Sequence, residues 1–358
     1  MTEDWENGGF GIYIHWPFCT AKCPYCDFNS HVRSNINQKQ WLKAYLNEIK
    51  RVSEKTSNRI LNSVFFGGGT PSLIEPSIIG DVLNEIQKHW KTKNNFEVTL
   101  EANPGSVDAK NFKAYKEAGV NRTSMGIQSL NTKDLKALGR THTVEEALAA
   151  FEIARQNFKA VSFDLIYARQ NQNISQWEKE LSLALSLEAS HMSLYQLTIE
   201  QGTAFGDRYN RGLLKGLPND DTSADMYDLT LSLCEDRGLV SYEVSNYAHQ
   251  GYESIHNLIY WRYGDYIGIG PGAHGRLTID GKKYATETVL SPEAWLKKVE
   301  CDGSGESNSV VLTDQQQAAE FVMMGLRLKE GINYQRFKNL SGSAFSKTKL
   351  NFLKDLNL

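Results

Sequence analysis

Along the first 200 positions, short apolar and β-branched runs alternate with amphipathic stretches of helical period. Six runs predict strands: G-I-Y-I-H-W at 11–16, S-V-F-F at 63–66, F-E-V-T-L-E-A at 96–102, R-T-S-M-G-I-Q at Arg122–Gln128, A-V-S-F-D-L-I-Y at Ala160–Tyr167 and H-M-S-L-Y-Q-L-T-I at 191–199. Between them, 81–90 sets Val82, Leu83, Ile86 and Trp90 on one helical face. Val144–Asn157 follows Thr143 with Glu146 three residues on, a capping-box pattern. Strands alternating with helices predict parallel pairing through helical crossovers, and so an α/β fold built as a (β/α) barrel or partial barrel. After 218–221 the pattern predicts a helix at 222–238, strands at 242–247 and 266–277, and mostly helix past Lys282, with a Gly/Ser-rich break at 302–309. The expected division is a core of 1–282 and a small, mostly helical region of 283–358.

In such barrels, reactive groups collect at the C-terminal ends of strands. The predicted strands finish on His15, 67–70, Glu101, Gln128, Asp164 and Gln196. Several polar ends in succession point to a shared mouth.

Composition narrows the classes. The 358 residues are 41% hydrophobic and 23% charged with a formal net charge of −3, which suits a globular protein and offers no basic excess for nucleic acid. The basic stretch 327–354 reads as a solvated helix face. The first ten residues are acidic without an apolar core, unlike a signal peptide, and no run reaches the ~18 apolar residues of a membrane helix. Three of five cysteines fall within eight residues, which is no disulfide framework. Clustered thiols that must stay reduced place the chain in the cytoplasm. Cys234 and Cys301 read as structural or incidental.

Cys19, Cys23 and Cys26 are spaced C-x-x-x-C-x-x-C in a loop stiffened by Pro17 and Pro24. A structural zinc site needs four ligands, and His15, Asp27 or His31 could add one, but such sites usually come as paired C-x-x-C units. Three thiolates suit a 4Fe–4S cluster with its fourth iron open, a better fit. G-G-G-T-P at 67–71 follows a strand; its glycines permit close backbone approach and expose N–H donors to a ligand.

The cysteine spacing, with Tyr25 just before the last thiol, resembles the radical-SAM superfamily. There the open iron binds S-adenosylmethionine (SAM), and reductive cleavage yields methionine and a 5′-deoxyadenosyl radical. Further motifs resemble one branch: Y-I-H-W-P-F-C at 13–19, G-G-G-T-P, E-A-N-P at 101–104, S-M-G-I-Q-S at 124–129, L-G-R at 138–140 and F-D-L-I-Y at 163–167. That branch holds the oxygen-independent coproporphyrinogen III dehydrogenases and the HemW-type heme chaperones. The resemblance implies a radical-SAM partial barrel in which Tyr13, Gly68 and Glu101 contact cluster-bound SAM. It matches Gly69, Thr70, Gln128, Arg140 and Asp164 to residues around a second SAM, with Arg140 suited to clamp a carboxylate bidentately.

Two departures weigh against porphyrinogen decarboxylation. The dehydrogenases carry a further cysteine where Phe28 stands, and a longer segment before the residue matching Tyr13. His256, Asn257, Tyr260 and Trp261 spell H-N-x-x-Y-W, a motif resembling the HemW group. Histidine ligates heme iron, and tyrosine and tryptophan pack against a flat macrocycle. The same residues could instead form a structural core cluster. His274, in G-P-G-A-H-G, is a second histidine near the expected mouth. The resemblance therefore implies a heme chaperone with a 4Fe–4S cluster, SAM and heme as ligands and heme-acceptor proteins as partners, its alternative being the dehydrogenase of heme biosynthesis. A-R-Q-N-Q at 168–172 replaces a Gly-rich turn of the family and adds the charge of Arg169 near the expected SAM pocket. The chain stops inside or just after a helix, which reads as a truncated or divergent end, so the last ~30 residues are expected to be loosely anchored.

Overall fold

In the computed structural model of the chain, which describes residues 3–56, 58–346, 348 and 350–352, all six predicted strands form. They are β1 (Phe10–Trp16), β2 (Ile60–Gly68), β3 (Lys91–Ala102), β4 (Arg122–Gln128), β5 (Ala160–Tyr167) and β6 (His191–Gln196). They pair in parallel and in chain order. The connections carry α1 (Gln38–Thr56), α2 (Pro76–His89), α3 (Ser106–Glu117), α4 (Val144–Asn157) and α5 (Ile174–Leu185). α4 starts at the predicted box: Thr143 Oγ1 accepts from the Glu146 amide, and the Glu146 carboxylate accepts from the Thr143 amide. Parallel strands are covered on both faces, which is why β1 is buried along nearly its whole length. The helices seal the sheet with large rings; Trp41 and Trp295 stack with centroids 5.5 Å apart at 7°. The architecture is the expected α/β partial barrel.

The sheet continues past both ends of this parallel set. Beyond β6 lies a tight antiparallel hairpin, β7 (Val240–Glu243) and β8 (Asn246–Ala248), where one strand at 242–247 was expected. Its turn is closed by the Ser245 amide donating to the Glu243 carboxylate at 3.0 Å. On the free side of β1, β9 (Asp265–Ile269) pairs in parallel, and β10 (His274–Ile279) turns back antiparallel. The expected strand at 266–277 is thus split, because Gly270 (φ 111°) and Gly272 (φ 70°) reverse the chain. β11 (Lys282–Thr288) and β12 (Glu306–Val311) extend the sheet where the sequence reads as helix and as a Gly/Ser-rich break. β12 is the exposed edge, and β11, paired on both sides, is only partly buried, so neither carries the apolar run that marks a buried strand. The sheet runs across position 282.

α6 (Asp220–Asp236) packs near the hairpin, and α7 (Ile255–Trp261) lies against β1, β2 and β9. A buried carboxylate joins the two halves of the sheet. Asp265 accepts from Arg59 Nη1 at 2.6 Å and Thr278 Oγ1 at 3.1 Å, with Lys283 Nζ at 3.1 Å. After α8 (Pro292–Asp302), the helices α9 (Asp314–Gly325) and α10 (Tyr334–Ser341) close the fold. Loose anchoring does not hold for α10. Leu340 is buried beside Tyr263 and Phe321, and Arg336 donates to Asp4 at 2.7 and 2.8 Å and to the carbonyls of Arg262 and Tyr263. Residues 353–358 lie outside the described residues. Much of the local basic charge is paired: Arg327 with Glu243, Lys329 with Glu235. Cys234 is fully buried, and burial pushes its thiol up to about 12.

Candidate functional site

Cys19, Cys23 and Cys26 line one cavity of about 140 Å³, together with Tyr25, Gly68, Gly69, Thr70, Glu101, Gln128, Arg140 and Asp164. Four successive strand ends thus meet the cysteine loop, as the shared mouth required. His15 lines an adjoining cavity instead, and Gln196 lies on neither. Among the described residues, no three His, Cys, Asp or Glu side chains are drawn tightly enough to hold a single metal ion. The three thiols stand around the cavity wall.

The loop is clamped from outside. Tyr25 packs on Phe205 with centroids 6.4 Å apart, and the Phe205 amide donates to the Pro24 carbonyl. The glycine of L-G-R has a positional reason: a Cβ on Gly139 (φ 69°) would stand 2.6 Å from Pro24 Cδ. The next residue, Arg140, then reaches inward. Its Nη1 donates to Cys23 Sγ at 3.2 Å, and its Nη2 to Asn103 Oδ1 at 2.7 Å and the Gly126 carbonyl at 2.8 Å. Both end nitrogens of the fork are occupied, so the bidentate clamp implied by resemblance would require them to change partners. Among the described residues, buried Arg140 Nε has no partner. Asn103 also donates to Thr70 Oγ1 at 3.2 Å, which joins the two loops. Sequence reasoning passed over Asn103, although it stands inside E-A-N-P.

The glycines of 67–69 serve a different purpose from the one expected. Their N–H groups are not offered to a ligand: Gly68 donates to Glu101 Oε2 at 3.0 Å, and Gly69 and Thr70 to the carbonyls of Trp16 and Phe18. What demands glycine is packing. A Cβ would come within 2.7 Å of the Tyr13 ring at Gly67, 2.5 Å of the His15 ring at Gly68 and 2.6 Å of the Phe18 carbonyl oxygen at Gly69.

Two carboxyls face the cavity with unusual acidities. Burial, then the neighbouring Asp164, pushes Glu101 up to about 8, against the pull of the Gly68 N–H. Burial pushes Asp164 up to about 6, opposed by hydrogen bonds from Ser193 and Ser124. Each carboxyl is therefore poised to ionise when a cation or hydroxyl donor arrives. Gln128 holds a left-handed backbone (φ 75°), and its buried Oε1 has no partner among the described residues. Strain combined with an orphaned acceptor marks a ligand-facing residue.

The donor set fits a cluster held by three thiolates better than zinc. None of His15, Asp27 or His31 lines the cavity, and both nitrogens of His15 are engaged, at 3.0 Å with Tyr13 Oη and 2.9 Å with the Asn29 carbonyl. Arg169 lies elsewhere: it is buried, pairs with Asp134 at 2.8 Å and with Glu180, and does not line the cysteine cavity.

The H-N-x-x-Y-W residues are divided by the helix they occupy. His256 is buried between the rings of Phe65, Tyr13 and Tyr260, at centroid distances of 5.0, 6.3 and 5.1 Å, with Nδ1 2.8 Å from Ser63 Oγ. Burial lowers it to about 3, so it is neutral. Tyr260, one turn on, reaches the second cavity, about 260 Å³, beside Tyr13 and Tyr266. Trp261 faces away, under the Arg327 guanidinium at 4.5 Å, and Asn257 lines neither cavity.

Comparison with known proteins agrees with this layout. The radical SAM superfamily matches residues 13–184, and the HemN C-terminal domain matches residues 312–357. A heme chaperone HemW of Haemophilus influenzae is 39% identical over 345 residues, covering 94% of this chain and 88% of that protein. HemW of Bacillus subtilis is 34% identical over 346 residues, covering 96% and 90%. A mitochondrial radical S-adenosyl methionine domain-containing protein 1 of Danio rerio is 39% identical over 338 residues, covering 93% and 76%. Among solved structures, coproporphyrinogen III oxidase (HemN) of Escherichia coli, a radical SAM enzyme, superposes with a TM-score of 0.80 over 98% of this chain and 83% of that one. Its 19% identity makes this a likeness of fold.

Proposed function

The chain belongs to the HemW-type family within the radical-SAM superfamily, and from that premise we propose that it is a heme chaperone. It holds a 4Fe–4S cluster on Cys19, Cys23 and Cys26, binds SAM beside it, takes up heme and passes it to acceptor proteins. The observation that carries this reading is the joining of two cavities. The cysteine cavity and the aromatic cavity share Phe28, Gly68 and Glu101, so a ligand in one borders a ligand in the other. When bound, the cluster would supply an open, Lewis-acidic iron and a source of single electrons.

The chain's own residues do the holding. Glu101 and Asp164 accept from an ammonium group or ribose hydroxyls, losing their protons as they do so. Thr70 and Gln128 line the adjoining wall, and Asn103 keeps Arg140 against the cysteine loop. Tyr13, Tyr260 and Tyr266 offer faces to a flat macrocycle. Phe28 stands on the rim, 55% exposed, and supplies no fourth thiol, which supports carrying over decarboxylation. Three clustered thiols that must stay reduced to hold a cluster suit a reducing compartment such as the cytoplasm. Among the described residues, no helix is long and apolar enough to cross a membrane.

Anaerobic reconstitution followed by heme transfer tests the proposal. The chain should take up about four irons and bind hemin. It should then restore the spectrum of a heme-depleted acceptor, and Cys23→Ser should abolish the iron uptake. A colourless zinc protein would sink the cluster assignment. Conversion of coproporphyrinogen to protoporphyrinogen with SAM and reductant would replace chaperone with enzyme.

A further inference from the structure

We propose that His274, and not His256, is the side chain that ligates heme iron; this rests on the heme-binding reading above. Two histidines, His15 and His274, line the aromatic cavity. His15 spends both ring nitrogens on Tyr13 and Asn29. His274 is exposed, and its ring has no hydrogen-bond or ionic partner among the described residues. A ligand to iron needs a free nitrogen that a macrocycle can approach, and exposed His274 at the cavity's edge offers one.

His256 does not. Its Nε2 lacks a partner among the described residues, but the rings of Tyr13, Phe65 and Tyr260 enclose it, and it does not line the cavity. A porphyrin reaching that nitrogen would have to displace three packed aromatic rings. The Ser63 contact and the Glu97 carboxylate, which accepts from the His256 amide at 3.0 Å, fix it as the packed wall behind Tyr13 and Tyr260.

The backbone around His274 is held in place. A Cβ on Gly268 would stand 2.1 Å from the His274 carbonyl oxygen, so glycine there lets β10 fold back closely over β9. Thr288 Oγ1 accepts from the Ala273 amide at 2.9 Å and donates to the Gly270 carbonyl. Asn29 Nδ2 donates to the carbonyls of Pro271 and Leu290, both at 2.9 Å, and so ties this turn to the cysteine loop. Phe28 and Leu290, 55% and 65% exposed, leave apolar surface beside the turn. That rim suits the edge of a macrocycle too wide for the cavity alone. Asn29 thus links the cysteine loop to the turn that precedes His274.

The test is an anaerobic hemin titration of the cluster-loaded full chain, read by the Soret band and resonance Raman spectrum. Wild type should show imidazole-ligated heme. His274→Ala should lose that signature and at least tenfold in affinity, and added free imidazole should restore the signature. His274→Met should shift the spectrum to sulfur ligation, which keeps the idea testable if the alanine variant folds poorly. His256→Ala should retain imidazole ligation. An unchanged spectrum in His274→Ala and His274→Met, or loss of imidazole ligation in His256→Ala alone, overturns the assignment. A wild type that binds no heme overturns the chaperone reading itself.

Discussion

Replacing Glu101 by glutamine should stabilise the cluster-free chain in alkaline solution and remove much of its pH sensitivity. An amide can still accept from the Gly68 N–H, 3.0 Å away in the native protein. What it removes is an ionisation that burial opposes: the carboxyl moves from its ordinary 4.5 to about 8. Between those values the native state holds a proton that the unfolded chain has released. Stability contributed by this group is therefore greatest below pH 4.5 and falls as pH rises towards 8. Linkage sets the slope at about 1.4 kcal/mol per pH unit, so the full window is worth at most about 5 kcal/mol. Glu101 lines an open cavity, and solvent screening brings the expected difference to about 2–3 kcal/mol at pH 8, with little at pH 5. Asp164, raised to about 6, adds a slope of the same sign at lower pH in both proteins. Urea unfolding of wild type and Glu101→Gln from pH 5 to 8.5 measures the difference. Parallel stability curves would refute the reasoning. If SAM binds as proposed, its ammonium group favours ionised Glu101, so binding by wild type should tighten from pH 6.5 to 8.5, with proton release near one at pH 6.5 and falling towards pH 8.5. Calorimetry in buffers of different ionisation enthalpy counts that proton.

Other outcomes follow from packing. Gly68→Ala places a Cβ 2.5 Å from the His15 ring at φ 115°, and should cost about 2–3 kcal/mol in denaturant unfolding and weaken SAM binding; an unperturbed midpoint would count against the packing role. Asp265→Asn leaves Arg59 and Lys283 buried without their counter-charge, at about 3–5 kcal/mol, read from the same unfolding curves; a loss below 1 kcal/mol would show that solvent reaches them. Arg336→Ala releases α10 from Asp4 and the Arg262 and Tyr263 carbonyls, so limited proteolysis should cut within 334–341 severalfold faster. Equal cleavage rates would mean that Leu340 alone holds the helix.

The parallel core was legible because buried strands and amphipathic helices carry their periodicity locally. β1 is mostly apolar and nearly all buried, and α4 announces its start with Thr143 and Glu146. The outer strands β11 and β12 were not legible. β11 is only partly buried and the edge strand β12 is exposed, so no apolar run separates them from helix or loop. α10 was misjudged for a related reason: its anchorage depends on Asp4 and Tyr263, residues far away in the chain.

At the site, residue types and spacing pointed to the three thiols, predicted strand ends to Glu101, Gln128 and Asp164, and the family resemblance to Arg140 as their companions. Chemistry of that kind is written in the side chains themselves. Direction is not. Arg140 has the donors for a carboxylate, but only the fold turns them towards Cys23 and Asn103. Gly67, Gly68 and Gly69 are a turn-like signal in the sequence, yet three neighbouring rings and backbones decide why nothing larger fits. His256 and His274 are both histidines able to bind iron. A helix face packed against Phe65 encloses one, and a glycine-rich reversal over β9 exposes the other, because burial is settled by contacts between segments that the chain order keeps apart.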